Sequence, residues 1–417
     1  MTLDEKHLAM KTRTIAIVAV VALIVLGVAV YFLTRPQAPA KPEKIVVAAR
    51  KGTYSEGLKV AAREYEKKTG IKVEVVEFDY AGLHEKLAQE VVQATGAYDV
   101  VMLDDPWLPE FADSGLLVPL DDLLAERGGV DPDFIDSAVN VCKYKGKLYA
   151  IPYVGNVQLF VYNKKLFGKY GLKEPKTWDD VLEAAKVIYE KEGIAGYVFR
   201  AAKGNPIVTN LLPIFWGKGV EIVDNNGNVD IDTPEAVEVF KFILELKKYT
   251  PKGVENYNSP EIKAALANEA TAMSIVWPAW VPKLDATTWG VIVPPGSRPM
   301  IGAWLLGIPK SSKHQKAALD FILFVTSKEM QKKLAIEVGV PPTRESVYKD
   351  PDVVAKYPWY PVQLDALKNS KMRPRLPQWK RIEDTLANYW HQAFTGQLDP
   401  ETALRKAAEE IRSILRG

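Results

Sequence analysis

Between residues 44 and 103 the apolar positions change period repeatedly. Lys44–Ala49 is a short apolar run of the kind a buried strand uses. Leu58, Ala61, Ala62 and Tyr65 then share one helical face, and Gly70 ends that helix. Ile71–Phe78 is β-branched and predicts a strand, Leu83, Leu87 and Val91 mark a second helix that stops near Gly96, and Tyr98–Leu103 is a third strand. The alternation β-α-β-α-β predicts a parallel sheet covered by helices. Later, Lys147–Ile151 reads as a strand, and Asn225-Asn226-Gly227 as the turn of a hairpin between Ile222-Val223 and Val229–Ile231. Thr177-Trp178-Asp179-Asp180 has capping-box spacing and opens a helix to about Glu192. Thr233, Ser259 and Asp399 each stand as a cap before Pro-Glu, and the last of these opens an amphipathic helix, Pro400–Leu415.

One stretch follows neither period. Residues 15–33 carry no charge, and at 1.5 Å per residue they reach about 28 Å, close to the ~30 Å of a bilayer's hydrocarbon. Tyr31 and Phe32 lie where an interfacial aromatic belt would sit, and Lys6, Lys11 and Arg13 precede the run, which orients the N-terminus inward. Residues 1–34 are therefore expected to form a transmembrane anchor with the body outside the cell. Ala38-Pro39-Ala40 also fits a small-x-small cleavage site, so the same run reads alternatively as a signal whose removal secretes the body. Residues 35–43, rich in Pro, Ala and Lys, read as a tether. Met10 offers a second start, and no cysteine follows the run to carry a lipid.

The 417 residues suggest two domains. The formal charge of +2 arises in residues 1–40, which hold four basic and two acidic residues and leave 50 of each in the body. Such a balance argues against a nucleic-acid partner. One cysteine, Cys142, allows no intrachain disulfide, and four histidines give no metal-site spacing, so neither a metal nor another cofactor is expected. A single Cys and 7 Met beside 28 Pro lean towards a thermophile composition. G-x-S-x-G, phosphate-loop and H-E-x-x-H patterns are absent. Asp104-Asp105, adjacent carboxylates after a strand, could serve as an acid/base pair, as cation ligands or as acceptors for a ligand's hydroxyls. Nothing else in the chain supports a catalytic mechanism.

Tryptophan is the distinctive feature. Of ten, several lie beside Pro or Gly in loop-like settings: Trp107, the pair in Trp277-Pro-Ala-Trp280, Trp304 and Trp379. An indole gives a flat apolar face and one N–H, which suits sugar rings. Trp178, inside a capping box, and Trp390, on an amphipathic helix, read as structural.

The order of several segments resembles the family 1 extracellular solute-binding proteins of ABC importers, the group of maltose- and oligosaccharide-binding proteins. The stretches are Tyr98–Leu103 followed by Phe111–Asp122, Tyr144–Pro152 with Val161–Phe167 and Pro175–Asp179, Ala272–Trp280, Gly302–Trp304 through Lys313, and Gly396–Leu404. The resemblance implies a two-lobed α/β periplasmic-binding-protein-like fold of type II, with a hinge of about three crossings near residues 154–157, 292–295 and 338–342. It implies one lobe of residues 44–153 and 294–340 and another of 154–293 and 341–417, no enzyme activity, a monomer, a sugar or oligosaccharide ligand and a membrane permease as partner. The ligand-site residues it suggests are Arg50, Asp104, Asp105, Trp107, Asn156, Gln158, Trp216, Trp277, Trp304, Arg375 and Trp379. A polyol, a glycerol phosphate or another anion gathered by Arg50, Lys51 and Arg375 is the alternative ligand, and a surface-anchored glycan hydrolase using Asp104 or Asp105 the alternative class. Gly-Ala-Trp304 and Val276 depart from the family's commoner small residues and bear on ligand size.

Overall fold

The computed structural model describes residues 3–34, 42–296 and 298–417, with the side chains of 5, 6, 9, 12–16 and 28–34 not described. The chain divides after Pro42 into two compact units. In the first, Leu3–Thr34 is one helix. The expected transmembrane anchor is not supported: among the described residues no helix is long and apolar enough to cross a membrane. The part of the apolar run with described side chains, residues 17–27, covers only about 16 Å of helix axis, and the side chains of the remainder are not described.

The second unit, Glu43–Gly417, holds ten strands among its described residues, and the sequence periods place the first three. β1 (Lys44–Arg50), β2 (Lys72–Phe78) and β3 (Val100–Asp104) form, with β1 parallel to both neighbours. The helix Thr53–Thr69 buries Leu58, Ala61, Ala62 and Tyr65 and ends on Gly70 at φ 74°, a left-handed turn that favours glycine. β4 (Lys143–Tyr144) and β5 (Lys147–Leu148) make a small ribbon. β6 (Ala150–Val154) joins the main sheet through β10 (Trp304–Gly307), which is antiparallel to β3 and β6 and gives the order β2-β1-β3-β10-β6. A second, wholly antiparallel sheet has β7 (Leu159–Asn163) between β8 (Met273–Val276) and β9 (Trp289–Ile292).

Helices divide between these sheets. Gln315–Val325 and Lys328–Val338 pack on Thr53–Thr69, while Trp379–Phe394 and Pro400–Arg416 pack together and against Asn205–Gly217 and Pro234–Lys247. The segment Glu345–Lys368 packs on Lys328–Val338 and Asp136–Asn140, with the first sheet rather than the second. The capping box at Thr177 and the caps Thr233 and Asp399 form, but the helix predicted to follow Ser259 is capped one residue earlier, by Asn258. Trp178 and Trp390 are buried, the latter stacked on Phe215 at 5.1 Å.

Between the sheets the chain runs side by side with itself. Val157 bridges Ile301, Met300 bridges Lys371, and the Gly155 N–H donates to the Pro341 carbonyl. Gly155 is glycine because a Cβ there would lie 1.9 Å from the Pro342 carbonyl oxygen.

Candidate functional site

The carboxyl ends of β1 and β3 lie at one edge of the main sheet, the usual crevice side of an α/β sheet. Arg50 ends β1, Asp104 ends β3, and Trp304 opens β10 directly opposite both Asp104 and Val154. This edge, joined by Tyr54 and by Tyr80 from the helix Tyr80–Gln93, makes one wall of a cavity of about 680 Å³. The opposite wall comes from the second sheet and its helices: Arg200, Lys203, Asn205 and Thr209, then Asn258, Trp277 and Trp280, with Glu383 from the helix Trp379–Phe394. Asn156 and Gly302, from the crossing strands, line the floor.

The first wall is an aromatic cradle. Trp304 is only 3% exposed, with Tyr54, Tyr80 and Trp107 around it at centroid distances of 6.1, 6.1 and 5.8 Å. The Arg50 guanidinium lies 5.1 Å from the Trp304 ring centre and 5.8 Å from that of Tyr80. Trp304 therefore backs an arginine and leaves little ring face for a ligand. Trp277 and Trp280, by contrast, are partly exposed at the cavity. Trp277 lies over Gly302, where a Cβ would come within 2.8 Å of its six-membered ring.

Beneath the cavity one arginine gathers three carboxylates. Arg373 lies 3.1 Å from Asp104 Oδ1, 3.0 Å from Asp105 Oδ2 and 3.9 Å from Glu383 Oε1, and all four residues are buried. Burial pushes the Asp105 carboxyl up to about 7, against the pull of Arg373 and with a push from Asp104. Burial likewise raises Glu383, again opposed by Arg373. The Tyr80 hydroxyl donates to Asp104 Oδ2 at 2.8 Å. Asn205 Nδ2 donates to Glu383 Oε1 at 2.9 Å and, from the far wall, to the Tyr80 hydroxyl at 3.4 Å. This network can hold hydroxyl-rich groups at its rim. A carboxylate as deeply buried and ion-paired as Asp105 offers no route to act on a glycan.

Of the residues singled out in the sequence, Arg50, Asp104, Asn156, Trp277 and Trp304 line the cavity. The others do not reach it. Asp105 and Trp107 are buried in the turn after β3, under the wall. Gln158 donates to the Thr209 carbonyl at 2.6 Å and is spent on joining β7 to the helix beside it. Trp216 is buried, with the Lys371 ammonium over its ring at 4.9 Å. Arg375 serves as a backbone clasp, donating to the carbonyls of Asp105 and Val141 at 2.7 Å and of Lys143 at 3.3 Å. Trp379 is buried at a helix start. Lys51 is exposed and does not line the cavity. The anion site expected from Arg50, Lys51 and Arg375 is thus not assembled. Sequence reasoning passed over Tyr54, Tyr80, Arg200, Arg373 and Glu383. Of these only Arg373, two residues before Arg375 in the same proline-rich segment, carried a nearby signal.

Comparison with known proteins agrees with this layout. The family described as bacterial extracellular solute-binding protein matches residues 51–332. A probable amino-acid ABC transporter periplasmic-binding protein of Sinorhizobium fredii is 25% identical over 394 residues, 90% of each chain. Among solved structures, maltose-bound T. maritima MalE3 superposes with a TM-score of 0.81 at 30% identity, covering 89% of this chain and 99% of that one. A ribitol complex of an ABC transporter solute-binding protein from Agrobacterium radiobacter K84 gives a TM-score of 0.82 at 25% identity, covering 90% and 100%. These relatives are solute-binding proteins of ABC transporters and not enzymes, and the solved ones share the fold of this chain; the chain belongs to the bacterial extracellular solute-binding proteins.

Proposed function

We propose that the chain is the solute-capturing component of an ABC importer, and that it takes a sugar or polyol into the cavity between its two sheets and delivers it to a membrane permease. The observation that carries this reading is the make-up of the cavity wall. The partly exposed indoles of Trp277 and Trp280 stand among Asp104, Asn156, Arg200, Asn205 and Glu383. Apolar ring faces thereby alternate with donors and acceptors, as a hydroxylated ring requires. The maltose and ribitol carried by the solved relatives belong to the same ligand class.

In this reading residues 44–153 and 304–368 form one lobe, and 159–296 and 379–417 the other. The crossings lie near residues 155–158, 300–302 and 371–378. The packing of the helix Tyr360–Lys368 on Asp136–Asn140 supports placing the third crossing after that helix. Ligand binding closes the lobes about these crossings, and the Tyr80–Asn205 contact joins the two walls on closure.

Calorimetric titration of the full chain against mono-, di- and oligosaccharides and polyols, with indole fluorescence read alongside, tests the reading. Saturable binding accompanied by an emission change is expected. Absence of binding across the panel by folded protein stripped of carried-over ligand would overturn it.

A further inference from the structure

We propose that the solute carries an anionic oxyacid group, a carboxylate or a phosphate, on its hydroxylated frame, and that Arg50 and Arg200 receive that group from opposite walls. The inference rests on the sugar or polyol reading above and narrows it.

The charges that line the cavity divide into those already matched and those left open. Among the described residues, Asp104 and Glu383 are both committed to Arg373, and Asp384 to Lys380. Asp79 caps the helix Tyr80–Gln93 through the Gly82 N–H. Arg50, Arg200 and Lys203 have no carboxylate partner among the described residues. Lys203 donates to the neutral Asn388 side chain at 2.8 Å. Arg200 is held in place by Asn258 Oδ1 at 2.9 Å and Thr209 Oγ1 at 3.2 Å, both neutral acceptors. The Arg50 guanidinium donates to no described residue and is oriented only by the rings of Trp304 and Tyr80. An arginine stacked on aromatic faces with its donor fork empty is preorganised for a planar or tetrahedral oxyanion.

Two further features point the same way. The helix Asn205–Gly217 starts at the cavity with Gly204 as its cap; Pro206 has no N–H and the Ile207 N–H donates to the Ala202 carbonyl at 3.2 Å, so what the first turn offers is the positive end of its dipole. That end lies beside Lys203 and Arg200 and adds to their positive field. Arg200 is also held below its ordinary range, at about 10, first by burial and then by the like charge of Arg50. An anion between the two guanidiniums removes that repulsion.

The test is titration of the full chain with matched neutral and acidic probes: D-glucose against D-glucuronate and D-glucose 6-phosphate, maltose against maltobionate, ribitol against ribitol 5-phosphate. An acidic member is expected to bind about tenfold or more tightly than its neutral counterpart, the worth of one charge-assisted hydrogen bond. The preference should fall with added salt and disappear in Arg50→Gln and in Arg200→Gln. The half-buried Arg50→Gln keeps the test available if Arg200→Gln does not fold. Preference for the uronate or for the phosphate ester identifies which oxyacid the site takes. Equal or tighter binding of the neutral members, or an acid preference that survives both substitutions, would overturn the inference alone. Failure of every probe would overturn the sugar or polyol reading and this inference with it.

Discussion

The two walls of the cavity contain the same kinds of residue and use them differently. On the main-sheet side Trp107 and Tyr54 are buried against Trp304, and the arginine that Trp304 supports stays open to the cavity. On the other side Trp277 and Trp280 are partly exposed and project from the end of β8 and the turn after it. A strand end that packs on two sheet neighbours builds scaffold, whereas a residue just past a strand of a small three-stranded sheet is free to meet solvent and ligand. Aromatic type and loop-like setting alone do not separate these roles; burial does.

The comparison can be broken most forcefully at its buried side. Trp304→Ala should cost about 3–5 kcal/mol of stability, as removal of a large core aromatic does, visible as a lower denaturation midpoint. Arg373→Met should cost a similar about 3–5 kcal/mol, because it strands Asp104, Asp105 and Glu383 without their counter-charge. Conserved midpoints in either variant would show the first wall to be less structural than its burial indicates.

Substitution on the open side should separate binding from stability. Trp277→Ala should weaken ligand binding by about 2–4 kcal/mol, in the range of aromatic hot spots, with little change in midpoint. Gly302→Ala should act through the same ring, since its Cβ would push Trp277 aside. Overpacking of this kind costs about 1–3 kcal/mol, and Trp277→Phe in the same chain should recover part of the loss by shortening the ring.

A further test is in pH. Asp105 has a folded-state pKa of about 7, against about 3.9 for an unperturbed aspartate. The folded state therefore holds its proton more tightly than the unfolded state. Its contribution to stability is complete below about pH 4 and is lost as pH rises through about 7. Asp105→Asn should flatten the stability profile across that window, which a denaturation series at several pH values would read.

Much of the fold was legible in the sequence because it is written in local periods. The strands β1 to β3, the helix at Leu58–Tyr65 and the caps at Thr177, Thr233 and Asp399 all depend on neighbours within four residues. What was not legible depends on distant pairing. The antiparallel entry of β10 between β3 and β6 joins segments some 150 and 200 residues apart in sequence, and the allegiance of Glu345–Lys368 to the first sheet follows from packing on Asp136–Asn140. The site divides likewise. Arg50 and Asp104 could be placed because they end strands. Arg375 and Arg373 are two residues apart in one irregular segment, and only the structure shows that the first clasps carbonyls while the second neutralises the acids under the cavity.

The partly exposed indole wall, and not the buried aromatic wall, is the one expected to meet the solute. The most direct measurement is a paired titration of Trp277→Ala and Trp304→Ala with the tightest-binding sugar or polyol of the panel, with thermal midpoints recorded for both. Trp277→Ala should lose affinity at an unchanged midpoint, while Trp304→Ala should lose midpoint first. Full affinity in Trp277→Ala, or a pure affinity loss in a stable Trp304→Ala, would contradict it.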